Sequence, residues 1–324
     1  MAITLTQLRS FLAVVEMGSV TAAAEELYVT QPSVSAAVSA LSKELGVELI
    51  ERLGRSVQPS AAGSAFAPYA AHVTGRLDQG GRAAREAAGT AARELRIAAV
   101  TTAAEHIVPQ LVQEFSAHHP ELTLTLDVGN RERVFRRVAS HQADVAIGGR
   151  PPADGLLSGQ AFLDNPILLI TAPGDTLARR RTVPIEELGA RPWLLREPGS
   201  GTRTMTEEFL ARHELTPPML TMGSNGAIKQ AARAGLGVSL QSRAATALEL
   251  KHGLLDAISV REPLPERQWF ALWPSTGPLR EPVREFLDFV TSASAKRLVE
   301  RSWVAETVEA RPGRGGQRAR VPLS

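Results

Sequence analysis

The stretch from Ser19 to Val38, SVTAAAEELYVTQPSVSAAV, constrains this chain more than any other, because it reads as two short helices joined by a tight turn. Ser19 or Thr21 can accept a hydrogen bond from free backbone N–H groups and start the first helix, and Ala22, Ala23, Ala24 and Leu27 are good helix formers. Tyr28 and Val29 end it. Thr30 is placed to cap a second helix, with Pro32 inside its first turn, where the missing N–H costs nothing. That helix has two faces: Val34, Val38 and Leu41 recur at three- to four-residue spacing and pack inward, while Gln31, Ser33, Ser35 and Ser39 are slim hydrogen-bonding groups on the other side. A helix that enters the major groove needs such a face. A hairpin with a merely solvated polar face has the same local pattern, so the neighbouring residues decide between the two.

Before the hairpin, Leu5, Leu8, Phe11, Leu12 and Val15 form the apolar stripe of a first helix that closes a three-helix core. After it, Arg52 and Arg55 flank Leu53-Gly54, a turn-forming tip that can carry a wing to phosphates or the minor groove; solvated surface arginines are the alternative. With LSKELGVELIERLGRSVQPSAAG included, the chain resembles the winged helix-turn-helix of LysR-type transcriptional regulators. The pattern is met at Ser19, Ala23, Ala24, Leu27, Gln31, Pro32, Ser33, Ser35, Leu41, Leu45, Gly46, Leu49, Arg52, Arg55, Val57, Ala62 and Gly63. It departs at Ser42, Ile50 and Pro59-Ser60, which touch packing and the exit of the wing.

This resemblance covers about residues 2–303 and implies an α/β architecture: an N-terminal winged helix-turn-helix, a long linker helix and a C-terminal two-lobed effector domain like a periplasmic binding protein. It also implies a double-stranded DNA operator as partner, contacted by Ser19, Thr30, Gln31, Pro32, Ser33, Ser35, Ser39, Arg52 and Arg55. A homodimer through the linker helix, a homotetramer through the effector lobes and RNA polymerase as a further partner follow from the same resemblance. REPGSGTR together with SNGAIKQAARAGLGV is similar to the branch that regulates carbon-fixation and sulfur-metabolism operons.

Small residues dominate from Ser60 to Ala92, and Phe66, Tyr69, Val73, Leu77, Gly80, Ala84 and Ala87 repeat at intervals of three and four, as in one long helix. Pro68 predicts a kink or a late start, since it removes one backbone donor. So narrow and Ala-rich a stripe needs a cover, either a second copy of the helix or the helix's own domain.

From Glu94 the period changes to alternating strands and helices. LRIAAV, LTLTLDVG and ADVAIGG read as strands, and HIVPQLVQEFSAHH and RERVFRRVAS as the helices between them, which predicts a mostly parallel sheet with helices on both faces. NPILLITAPG, RPWLLR, LTMGS and GVSLQS continue the rhythm in a second lobe, and QWFALWP with EPVREFLDFVTSA returns to the first. The expected divisions are 1–60 for the DNA-binding domain, 61–92 for the linker, 93–303 for the effector domain and 304–324 for a flexible basic tail. Within the effector domain, lobe I takes about 93–161 and 268–303, and lobe II about 162–267. Two lobes joined by two crossings make a hinged cleft.

Ligand chemistry is expected where strands end and helices begin, since free N–H groups and the helix dipole favour an anion there. Thr101 and Thr102 follow the first strand of this region, and REPGSGTR places Arg196, Ser200, Gly201, Thr202 and Arg203 around a helix start. Ser224 and Asn225 open the helix after LTMGS, and the resemblance implies that Asn130, after the second strand, faces the same opening. These residues predict a pocket for a small anionic metabolite that acts as inducer; a capped surface turn is the alternative for GSGTR. Lys229 reads as part of a solvated helix face.

Cysteine is absent, so a disulfide framework, a zinc knuckle and thiol redox sensing are excluded. The histidines have no metal-ligand spacing, no GxxxxGK[ST] phosphate loop exists and GSGTR lacks the pattern of a nucleophile elbow, which argues against an enzyme and against any cofactor. A solute-binding protein without an operator is the rival in a different class; the N-terminal module and the lack of a signal peptide favour a cytoplasmic regulator, with no membrane partner.

Charge is a weak witness here. The formal net charge of +2 becomes −2 without Arg311, Arg314, Arg318 and Arg320 of the tail, and Met1 to Ser60 holds six glutamates against four basic residues. Basic groups for DNA must therefore be placed locally.

Overall fold

A computed structural model describes residues 2–54, 56–89 and 93–307; Arg55 and the Arg-rich tail lie outside the described residues. The N-terminal module begins with α1 (Leu5–Met17), whose N-cap Thr4 and Gln7 form a capping box. α2 (Val20–Glu26) is capped by Ser19, which accepts from the Ala22 N–H at 3.3 Å. α3 (Gln31–Leu45) is capped by Thr30 and closed by Gly46, whose φ of 71° suits a residue without Cβ. β1 (Ile50–Leu53) and β2 (Ser56–Pro59) pair antiparallel as the wing, Ile50 opposite Pro59 and Leu53 opposite Ser56. Leu8, Phe11, Val14, Ala23, Val34, Val38, Leu41 and Leu49 form one buried core, and the Phe66 ring packs on Phe11 with centroids 5.8 Å apart.

The linker is α4 (Ala61–Ala87), capped by Ser60 and continuous through Pro68. The expected late start is therefore not found, since the helix begins at Ala61; Pro68 is exposed and costs one backbone hydrogen bond, which the remaining turns of a 27-residue helix offset. Two of its glycines are seated against backbone carbonyls. A Cβ on Gly63 would stand 1.9 Å from the Leu49 oxygen, and one on Gly75 would stand 1.7 Å from the Ser140 oxygen. The buried side of α4 carries Ala70, Thr74, Gly75, Gln79 and Arg82, whereas Tyr69, Val73 and Leu77 are exposed. Phe66 departs from that stripe, because it packs on the core of the N-terminal module.

β3 (Arg93–Val100) runs straight into α5 (Thr101–His106) and α6 (Val108–His118). β4 (Leu122–Gly129), α7 (Arg131–Ala139), β5 (Val145–Gly148), β6 (Leu157–Asp164), β7 (Ile167–Thr171) and β8 (Trp193–Leu195) follow. Next come α8 (Gly201–Arg212), β9 (Met219–Thr221), α9 (Asn225–Arg233), β10 (Ser239–Ser242), α10 (Arg243–Lys251) and β11 (Asp256–Ile258). The described chain ends with β12 (Gln268–Pro274), α11 (Glu281–Val290) and α12 (Ala293–Thr307).

A five-stranded sheet has the order β4-β3-β5-β12-β6; β3 is parallel to β4 and β5, and β12 is antiparallel to β5. A second sheet, β10-β7-β11, is antiparallel throughout, and β8 with β9 forms a parallel pair. The expectation of mostly parallel sheets holds for the βαβ run from β3 to β5. It fails where the chain re-enters a sheet from the opposite end, at β12 and around β7.

The fold divides into two compact units. One contains Met1–Val100, Phe115–Gln160 and Phe270–Asp288, and the other Thr101–Glu114, Ala161–Trp269 and the described residues from Phe289. In the first unit, Ala98, Val134, Phe135, Val138, Ala146 and Leu272 pack between sheet and helix. In the second, Trp193, Phe209, Leu169, Ile185 and Leu240 form the main core. Among the described residues, no helix is long and apolar enough to cross a membrane.

Candidate DNA interface and effector site

The helix-turn-helix follows from its caps. The Thr30 Oγ1 accepts from the Ser33 N–H at 3.4 Å and lies 2.8 Å from the Ser33 Oγ, so both hydroxyls are engaged at the start of α3. Ser19 is likewise a cap. Gln31, Pro32, Ser33 and Ser39 are exposed and Ser35 is half-buried, while Val34, Val38 and Leu41 fix the helix from behind. One face of α3 therefore presents an amide and hydroxyls, groups that can read base edges. Arg52 is exposed on β1 beside the wing tip, where Gly54 has a φ of 63° and Leu53 is exposed. Sequence reasoning passed over Tyr28. It stands 96% exposed in the turn between α2 and α3, in a left-handed conformation with φ 55°, so its phenol is held out beside α3. An aromatic residue in so short a turn is the signal that could have found it.

The expected effector residues meet mainly in the second unit, around the loop between β8 and α8. Arg196 is 4% exposed and donates from Nη1 to the Asn225 Oδ1 at 2.5 Å. Asn225, 2% exposed, donates from Nδ2 to the Thr102 Oγ1 at 2.9 Å. The Arg196 Nε and Nη2 grip Glu197 at 2.7 and 2.9 Å, as a planar guanidinium does with a carboxylate. Burial pushes the Glu197 carboxyl up, but the hydrogen bond from Arg196 and its charge outweigh this and leave the group below its ordinary value.

Ser200 caps α8, accepting from the Thr202 N–H at 3.3 Å, and Gly199 makes the preceding turn with φ 82°. Arg203 pairs with Glu207 at 2.8 Å and donates from Nη1 to the Arg196 carbonyl and the Thr221 Oγ1, both at 3.2 Å. Ser224 caps α9, accepting from the Ala227 N–H at 3.1 Å. Thr101 opens α5 beside Thr102. Asn130 belongs to the other unit, where it caps α7 by accepting from the Arg133 N–H at 3.0 Å.

Two features were not foreseen. Both arginines of REPGSGTR already hold carboxylates, Glu197 and Glu207, so the turn is pre-arranged by its own acids rather than offering two uncommitted cations. Lys229 is no solvated residue: its side chain is 16% exposed, pairs with Glu249 at 2.6 Å and donates to the Ala245 carbonyl at 3.0 Å, joining α9 to α10. Two histidines neighbour aromatic rings, His119 on Phe115 at 4.3 Å and His213 on Phe209 at 4.7 Å. Among the described residues, no cluster of His, Cys, Asp or Glu could hold a metal.

Comparison with known proteins agrees with this geometry. Residues 5–64 match the model of the bacterial regulatory helix-turn-helix protein, lysR family, and residues 88–295 match the LysR substrate binding domain. The chain is 34% identical over 288 residues to the HTH-type transcriptional activator CmpR of Synechocystis, covering 89% of this chain and 94% of that protein. It is 32% identical over 293 residues to a RuBisCO operon transcriptional regulator of Acidithiobacillus ferrooxidans, covering 90% and 94%. The regulatory domain of Synechocystis CcmR, solved in complex with 2-PG, superposes with a TM-score of 0.58 at 32% identity, covering 61% of this chain and 95% of that one. With its helix-turn-helix, its substrate-binding domain and this kinship to regulators of carbon-fixation operons, the chain belongs to the LysR family of transcriptional regulators.

Proposed function

We propose that this regulator binds its operator through α3 and the wing, and that a small anion held at the β8–α8 turn controls it. Gln31, Ser33, Ser35 and Ser39 read bases, Arg52 and Tyr28 meet the backbone, and the capping groups Ser19 and Thr30 set the helix ends. The effector site comprises Thr101, Thr102, Arg196, Ser200, Gly201, Thr202, Arg203, Ser224 and Asn225. The observation that carries this reading is the chain Glu197–Arg196–Asn225–Thr102, buried from Arg196 onward, which joins two helix starts and a strand end through continuous hydrogen bonds. Such a chain holds the hydroxyls and the N–H groups of the α8 start ready, and an anion need only add to it. The helix ends and the positive side chains favour a carboxylate or phosphate, and 2-PG, the ligand in the CcmR structure, is the first compound to titrate.

The exposed face of Tyr69, Val73 and Leu77 supports a homodimer through α4, and the domain limits 1–60, 61–92 and 93–303 follow the helix-turn-helix, the linker and the α/β body. A tetramer through the effector region, a contact with RNA polymerase at the promoter and a cytoplasmic location complete the reading; no residue of the site is assigned a catalytic role. Titration of candidate anions against a fluorescent operator fragment tests it. The expected outcome is a saturable change in DNA affinity that Arg203→Ala abolishes while basal operator binding stays within a factor of two. An Arg203→Ala protein that responds at the wild-type concentration would overturn the placement of the site.

A further inference from the structure

The orientation of one buried amide follows from its neighbours. A guanidinium has N–H donors and no acceptor, so the atom of Asn225 that meets the Arg196 Nη1 must be the carbonyl oxygen, Oδ1. The other end of the amide is then its NH2 group, and Nδ2 donates to the Thr102 Oγ1. The Thr102 hydroxyl is thereby committed as an acceptor, and its single hydrogen is left for another partner. Thr102 is 8% exposed, and among the described residues no acceptor takes that hydrogen.

Ser200 is in the same position: it is 5% exposed, its Oγ accepts from the Thr202 N–H, and its hydrogen has no taker among the described residues. The other buried hydroxyls of the second unit all donate. Thr171 donates to Asp175, Thr206 to the Thr202 carbonyl, Ser239 to the Leu194 carbonyl, Ser242 to the Asn165 amide oxygen and Thr246 to the Ser242 carbonyl. Buried polar hydrogens are ordinarily matched in this way. The two that are not, on Thr102 and Ser200, both belong to the candidate effector site.

We infer that Asn225 is a positioning residue that fixes the chemistry of the effector. By holding Thr102 as a donor, it makes the site take an oxyanion at an oxygen that carries no hydrogen, and reject at that place an amide N–H, an ammonium or a donating hydroxyl. Two donors face to face in a buried site leave both hydrogens without an acceptor, so the exclusion is strong. This inference rests on the reading of the β8–α8 turn as the effector site. The choice lies with Asn225, because Asn225→Asp keeps an acceptor for Arg196 but offers a second one to Thr102. The hydroxyl then turns round, donates to residue 225 and shows its lone pairs to the ligand.

Isothermal titration of the full-length protein with 2-PG and with inorganic phosphate tests this, and at least one of the two should bind saturably. Thr102→Ser, which keeps the hydroxyl, should stay within about threefold of the wild type, and Thr102→Val should weaken binding about tenfold or more. Asn225→Asp should weaken it as much, with a urea midpoint no lower than that of the wild type, since the Arg196 contact is kept. The double variant separates a role through Thr102 from repulsion by the added charge. If Asn225 acts through the hydroxyl, Thr102→Val costs nothing further in the Asn225→Asp background, whereas repulsion multiplies the two losses. The Thr102→Ser and Thr102→Val pair stays readable if Asn225→Asp folds poorly. Wild-type affinity in Thr102→Val or in Asn225→Asp, or a full second loss in the double variant, would overturn the role of Asn225. Undiminished binding in Arg203→Ala would instead overturn the placement of the site, and a wild type that binds neither anion would overturn both.

Discussion

Asn225 and Thr102, 123 residues apart in the chain, are joined by a 2.9 Å hydrogen bond in which the Asn225 Nδ2 donates to the Thr102 hydroxyl. Because the Asn225 Oδ1 accepts from Arg196, one buried amide sets both the hydroxyl at the start of α5 and the guanidinium after β8. Thr102→Val should cost about 1 kcal/mol of stability, whereas Asn225→Ala strands a donor of a buried guanidinium and should cost about 3 kcal/mol. Urea unfolding measures both. Asn225→Ala should also lose the inducer response; a fully responsive Asn225→Ala protein would show that the network is structural only.

At the DNA end, Gln31→Ala should cost about 1 to 3 kcal/mol at the operator and little on unrelated sequences. Arg52→Gln should weaken all sequences alike and lower the salt slope by about one unit. Mobility shifts on specific and random duplexes over a salt series separate the two. If Gln31→Ala binds its operator like the wild type, α3 does not read bases through this residue.

Leu77→Glu or Val73→Glu places a carboxylate in the exposed apolar stripe of α4. If a second copy covers the stripe, burying the unpaired charge is prohibitive and the dimer should dissociate. Light scattering reads the mass. An unchanged mass for a well-folded Leu77→Glu protein would rule out α4 as the dimer surface.

How much of this could be read in advance varied with scale. The repeats of Val34, Val38 and Leu41, and the runs of β3, β4 and β5, announced themselves through their period. α5, β6 and α10 did not: TTAAEH is six residues long and follows a strand directly, LSGQAFLD alternates weakly around a glycine, and RAATALELK carries few large apolar side chains. In the candidate site the caps Ser200 and Ser224 were legible because capping is local. The pairing of Arg203 with Glu207 is also local and could have been found at its four-residue spacing. The Thr102–Asn225 bond could not, since no local pattern encodes a contact across so much chain.

Acid should destabilise the protein through His141. This imidazole is 2% exposed with neither ring nitrogen bonded, and its ring centroid lies 4.8 Å from that of His72. Burial first, then the neighbouring His72 and the charges of Arg76 and Arg82, against Asp144, lower its pKa to about 4. The ordinary value is 6.5. Between those limits the unfolded chain takes up a proton that the folded one refuses, so stability present above pH 6.5 is lost as the pH falls, by up to about 3 kcal/mol. His141→Asn, which tolerates the φ of 57° there, should remove that part of the slope between pH 6.5 and 4 in denaturant titrations. An unchanged slope would place the acid sensitivity elsewhere.

Gly75→Ala should destabilise by about 1 to 3 kcal/mol, because the added methyl meets the Ser140 carbonyl and the helix must shift. Gly80→Ala, with open space around it, should do the opposite and gain up to about 1 kcal/mol from helix propensity. Thermal unfolding in a monomeric Leu77→Glu background compares the two signs. Equal effects would mean that Gly75 is not held against Ser140.

The two seated glycines of α4 make the linker a ruler. Gly63 fixes the helix to the Leu49 carbonyl of the DNA module and Gly75 fixes it to the Ser140 carbonyl of the body. The twelve steps between them amount to roughly 18 Å and three and a third turns. Inserting or deleting one residue there would leave both notches intact but swing one against the other by about 100°. The angle at which α3 is carried is thus written as a residue count, and substitutions between the two notches that keep this count leave it alone while a single-codon insertion does not.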